Sequence, residues 1–131
     1  MVDNETIDSY LIQMGHPTQS LREGIWKVDN DTDDVPPVIV SHEPPIVYVR
    51  LKMVDLPERH REKLYAKLLE FNASGLAFGA YAVQDDEVLL IDTLRSESLD
   101  LDELQASIES LQLASQQHYR ELQELLQVGQ E

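Results

Sequence analysis

Residues 68–112 read LLEFNASGLAFGAYAVQDDEVLLIDTLRSESLDLDELQASIESLQ, and the fold is decided here. The stretch holds the end of a helix, two β-rich runs and the start of a long closing helix. The runs at 76–83 and 87–94 are separated only by Gln84, Asp85 and Asp86, a short polar connection that predicts a β-hairpin. Ala77, Gly79, Ala80 and Ala82 make the first run small-sided, which suits close approach by a packed helix. Asp100 stands three residues before Glu103, the spacing of a capping box, and so marks the start of the last helix. Leu101, Leu104, Ile108, Leu111, Leu122 and Leu125 then recur at near-heptad spacing. Ser115 and His118 fall in that stripe, with Ala114 and Tyr119 beside them. The helix is expected to fray after about Leu126.

Upstream, Ile7, Tyr10, Leu11 and Met14 fall on one face of a helix over 3–15, with Gly15 and Pro17 placed to stop it. Residues 16–23 are polar and read as a loop. Strands are expected at 24–29, at 35–41, where Pro36 and Pro37 demote the start, and at 46–54. In the last of these Val47, Val49, Leu51 and Met53 alternate with Ile46, Tyr48, Arg50 and Lys52. A helix over 56–71 follows, with Asp55 as its cap, Pro57 in its first turn and a stripe of Leu64, Leu68 and Phe71, flanked by Tyr65 and Leu69. The order α-β-β-β-α-β-β-α, with short connections, predicts a single α+β domain over residues 1–131. Its expected core is a twisted antiparallel five-stranded sheet packed with three helices.

Composition narrows the function. The chain has 131 residues and a net charge of −15, which excludes a nucleic-acid partner and an anionic membrane face, since both need clustered Lys and Arg. The charge is uneven: residues 57–75 carry four Lys/Arg against three Asp/Glu, whereas residues 96–131 carry one base and eight acids. There is no cysteine, so disulfides, thiolate nucleophiles and Cys-ligated zinc are absent. The start has no basic-then-apolar leader, and no apolar run spans a bilayer; the expected location is cytoplasmic.

The residues offer no catalytic group and imply no cofactor or metal. Asp29 to Asp34 begins like a calcium loop, but Asp34 occupies the glycine position and Val40 the position of the bidentate glutamate. An acidic turn is the plainer reading. His16, His42, His60 and His118 have no metal-pair spacing and read as exposed or packing histidines. Neither a phosphate-binding glycine loop nor a nucleophile elbow is present. Ile7, Leu11, Met14 and the single Trp26 have two readings: ordinary core, or a groove that takes a partner's extended segment.

The second half resembles the YbjN family, within the superfamily of type III secretion chaperone-like (Tir chaperone, CesT-like) domains. The resemblance rests on Val47 to Lys52, on Leu68 to Ala73, on Gly79-Ala80-Tyr81, on Asp86 to Leu90 and on Leu99 to Leu104, in this order and spacing. The run ASIESLQLASQQHY at 106–119 is similar to the subgroup common in cyanobacteria. About residues 45–120 are covered. The resemblance implies an α+β fold with a twisted antiparallel sheet, often homodimeric, and a non-enzymatic role. The expected function is a chaperone-like module holding a protein client; the alternative is a regulatory or sensory domain that binds a small ligand.

Overall fold

The computed structural model describes residues 2–32 and 34–130, and side chains as far as Gln127. The acidic turn expected at 30–34 and the chain's end therefore lie partly outside the described residues. Elements run α1 (Asn4–Met14), β1 (Thr18–Arg22), β2 (Ile25–Val28), β3 (Val38–Glu43), β4 (Ile46–Asp55), α2 (Glu62–Ser74), β5 (Ala80–Gln84), β6 (Glu87–Arg95) and α3 (Leu101–Gln130). All six strands form one antiparallel sheet in the order β1-β2-β3-β4-β6-β5. The α+β class and three helices are as expected, but the sheet has six strands instead of five.

The added strand is β1, in the stretch expected to be a loop. Four of its five residues are exposed, so it shows no apolar alternation. It forms because Gly24, at φ +82°, closes a tight turn back onto β2, where Gln19 pairs with Lys27 and Ser20 with Trp26. An edge strand with a bulge at Leu21 needs no buried face of its own.

Alternation sorts the sheet into two faces. Trp26, Val28, Val38, Val40, Val47, Val49, Leu51, Val88 and Leu90 are buried on one face. Helix α3 lies across β4 and β6 and buries Leu104, Ile108, Leu111 and Leu122 against that face. Ser107 and Ser115 fall within the apolar stripe; Ser107 donates to Asp92 Oδ2 at 2.8 Å, so a polar group is satisfied under the helix. The capping expectation holds: Asp100 Oδ1 accepts from the Glu103 amide at 2.8 Å. Helix α1 is stopped by Gly15 at φ +78°, as the sequence suggests, and is capped at its start by Asp3, which accepts from the Thr6 amide.

Several boundaries differ from expectation, β3 running over Val38–Glu43 and α2 over Glu62–Ser74. Helix α2 starts at Glu62, because Asp55 still belongs to β4, the Leu56 amide bonds to Asp86 O at 2.8 Å, and His60 adopts φ +59°. Residues 76–79 are not strand. Gly79 sits at φ +80°, and a Cβ there would stand 2.6 Å from Ile91 O and 3.0 Å from Leu111 Cδ2. The close approach foreseen from the small residues is thus made by the strap that leads into β5. Asp85 and Asp86, both at positive φ, then close the β5–β6 hairpin.

Gly79→Ala combines left-handed strain with a backbone clash and is expected to cost about 2–4 kcal/mol. Urea unfolding followed by Trp26 fluorescence checks this; an unchanged midpoint would show that the strap adapts freely.

Candidate protein-binding surface

Of the four residues read as a groove or as core, Ile7, Leu11 and Trp26 are buried and Met14 packs partly buried against the same core. Helix α1 brings them together, and Trp26 Nε1 donates to Asp8 Oδ1 at 3.2 Å. In this structure their surface is spent on joining α1 to the sheet.

The open apolar surface lies at the opposite edge, between α2 and β5. A hollow of about 290 Å³ is floored by Leu68 and Tyr81 and rimmed by Tyr65, Leu69, Ala82 and Val83. Leu69 is 68% exposed, Val83 45% and Tyr65 37%. Helical spacing explains the split on α2: Leu64, Leu68 and Phe71 face the core, whereas Tyr65 and Leu69 fall on the next arc. That offset was the signal in the sequence. Apolar residues flanking a complete core stripe have no intramolecular partner to find.

The edge strand is anchored from below and from the side. Asn72 on α2 accepts from the Tyr81 amide at 2.7 Å and donates to Tyr81 O at 3.3 Å, standing in for a neighbouring strand at that residue. The Tyr81 hydroxyl is 2.7 Å from His118 Nδ1 on α3. The His118 ring stacks on Phe71, with centroids 3.7 Å apart and planes at 3°. Burial pushes the Tyr81 phenol well above the tyrosine range, so Tyr81 keeps its proton while it is hydrogen-bonded to His118 Nδ1. One cluster thus ties α2, β5 and α3 beneath the groove and gives it a fixed floor.

The remaining histidines serve structure. His16 Nε2 lies 3.4 Å from Glu109, and His42 Nδ1 lies 2.7 Å from Asn4 Oδ1. Exposed His60 stands in the turn before α2. Among the described residues no cluster of three or more His, Asp or Glu could hold a metal ion. The largest hollow described, about 440 Å³ between α2 and α3, is lined chiefly by ion-paired side chains, with Lys67 Nζ 3.0 Å from Glu121. It is open to solvent and brings no acid–base pair together. No described helix is long and apolar enough to cross a membrane.

With this geometry in hand, the chain can be placed among known proteins. The CesT_Tir_1 family model matches residues 2–128. The chain belongs to the CesT_Tir_1 family. Solved structures with the same fold include a chain of the heterodimeric ExoU–SpcU complex from the type III secretion system of Pseudomonas aeruginosa. It has a TM-score of 0.70 and 19% identity, covering 87% of this chain and 95% of that one. Another is YbjN from E. coli, put forward as a transcription regulator, at TM-score 0.68 and 13% identity, covering 92% and 93%. A third is a chain of the ExsC–ExsE complex, at TM-score 0.66 and 16% identity, covering 92% and 97%. No curated protein matches the chain. At these identities the likeness is one of fold. Membership in the CesT_Tir_1 family agrees with the sequence reading that the chain is not an enzyme.

Burial lowers the pKa of both His118 and His42. For His118 the nearby Glu121 pulls upward and Lys67 further down; for His42 Asp3 pulls upward. Each folded-state value lies below the unfolded 6.5, so the neutral rings contribute fully above pH 6.5. That contribution is lost as the pH falls from 6.5 toward the lower folded values. Stability measured by urea unfolding is therefore expected to decline on acidification through this window, and less steeply in His118→Gln. A pH-independent midpoint there would contradict the burial of both rings.

Proposed function

We propose that the chain is a non-enzymatic, chaperone-like protein-binding module of the cytoplasm that works as a homodimer and holds a segment of a client protein. The observation that carries this reading is the apolar groove beside β5, where Leu69 and Val83 stand in water on a rigid floor. Such a surface becomes buried only when another polypeptide lies on it. The fold's neighbours support the reading, because they include a chaperone–effector complex, HopA1–SchA, and a secretion chaperone, SycH, bound to a fragment of YscM2.

The groove suits a second copy of this chain. A two-fold contact needs one patch to supply both knob and hole. Leu69 protrudes directly beside the hollow floored by Leu68 and Tyr81, which is such a self-complementary pair. Self-association there leaves the outer sheet face and the β1 edge, with exposed Leu21, for the client.

The groove weighs against the small-ligand alternative. Ligand sites are enclosed and bring a few polar groups to a point. This hollow is open along its length, and its polar group, Asn72, is already engaged with Tyr81.

Sedimentation velocity tests the proposal. The unmodified protein is expected to sediment as a dimer and Leu69→Asp as a folded monomer, with dimer affinity reduced at least about a hundredfold, because a carboxylate cannot be buried in the partner's hollow. A wild-type monomer that binds no hydrophobic dye would overturn the reading.

A further inference from the structure

The sheet has a second face that no helix covers, and its chemistry differs from that of the rest of the molecule. Lys27, Arg50, Lys52 and Arg95 all stand on it, out of ten Lys and Arg in a chain of net charge −15. Three of these cations have carboxylate partners: Lys27 reaches Asp29 at 4.0 Å, Lys52 reaches Glu87 at 2.7 Å and Asp55 at 3.0 Å, and Arg95 reaches Glu97 at 3.1 Å. Arg50 makes no ion pair and no side-chain hydrogen bond among the described residues.

The register explains why. Arg50 is flanked across the sheet by Ile39 and Ile91 and along β4 by Tyr48 and Lys52. The diagonal positions on β3 and β6 are Ser41, Leu89 and Thr93. Among the described residues no carboxylate occupies a position adjoining it. Its guanidinium rests over the Tyr48 ring, 5.2 Å from the centroid, beside a shallow hollow of about 380 Å³ that Leu89 and Ile91 line. The hollow shares Ala82 and Val83 with the groove beside α2, so the two surfaces are continuous over the edge of β5.

We propose that this face docks an acidic amphipathic segment of a partner protein, with a carboxylate seated on Arg50 and apolar side chains over Ile39, Leu89 and Ile91. Covering those apolar residues removes water from Arg50, and an uncompensated buried guanidinium costs more than the apolar contacts return. An occupant of this face must therefore supply an anion at its centre, where the planar guanidinium can take a carboxylate in two parallel bonds. Among the described residues no carboxylate of the chain itself pairs with Arg50. A second copy presenting the same face by two-fold symmetry would set like charges against each other, and one presenting its helical side would propagate without closing. The inference rests on the reading of the chain as a protein binder, and it supplies that binder with a client chemistry.

The test uses two fluorescein-labelled synthetic peptides, one alternating leucine and glutamate, the other leucine and glutamine, titrated with the full chain at low salt and followed by anisotropy. The glutamate peptide is expected to bind roughly tenfold more tightly than the glutamine peptide despite the protein's net negative charge, and Arg50→Gln should abolish that preference. Leu69→Asp, which tests the groove, should leave the preference intact, so failure of the dimer proposal and failure of this one are separable. Equal binding of the two peptides by the unmodified protein overturns the proposal without any variant. So does a glutamate preference that survives in Arg50→Gln. Arg50-dependent sedimentation with phosphatidylserine vesicles, without a glutamate preference, would assign the face to a membrane surface instead. Loss of self-association in Arg50→Gln would assign it to a second copy.

Discussion

The packing of α3 across β4 and β6 is the contact on which the rest of the structure depends. One 30-residue helix buries Leu104, Ile108, Leu111 and Leu122 against the two most extensively paired strands. Because α1 and α2 pack on the same side, every helix is committed to one face of the sheet. The other face is left to water, as is the β1 edge, while the β5 edge is engaged by Asn72 only at Tyr81. An antiparallel sheet tolerates this, since its backbone is satisfied within the ladder and its outer side chains can be mixed. The outcome is a rigid plate with one finished side and one unfinished side.

That asymmetry favours binding over chemistry. Two buried polar side chains hold the scaffold: Ser107 on Asp92, and His118 between Phe71 and Tyr81. Asn72 serves the backbone of β5. Titratable groups are numerous, but those gathered in the hollow between α2 and α3 are open to solvent and engaged in ion pairs such as Lys67 with Glu121. What the surface does offer is apolar area beside an edge strand and an isolated guanidinium on an open sheet. Both are features a polypeptide partner can use.

Much of this was legible in the residues. The closing helix announced itself through Asp100 and Glu103, the hairpin through Asp85 and Asp86, and the end of α1 through Gly15, because caps and tight turns are local chemistry. The order of elements apart from β1 followed from these and from the apolar alternation, and the family from the resemblance of residues 45–120. Strand β1 was not legible, because an edge strand held by backbone pairing carries no apolar alternation. The start of α2 was misplaced because tertiary pairing of Leu56 with the β5–β6 turn overrode a plausible cap at Asp55. The working surface was harder still. Ile7, Leu11 and Trp26 are apolar for the same reason a binding surface is, and only three-dimensional burial separates the two uses. Tyr65 and Leu69 could have been singled out as apolar residues left over once the α2 stripe was complete. Arg50 could not, since its isolation comes from cross-strand neighbours that only the register reveals.

The central claim is that the unfinished surfaces of this plate exist to meet other polypeptides. Site-specific photo-crosslinking in the native cell addresses it directly, with the reactive side chain placed at Val83 on the groove rim and, for comparison, at exposed Asp102 on α3. Adducts to polypeptides, a second copy of the chain among them, should form from position 83 and be absent from position 102. Equal yields from both positions, or no adduct from position 83, would contradict the account.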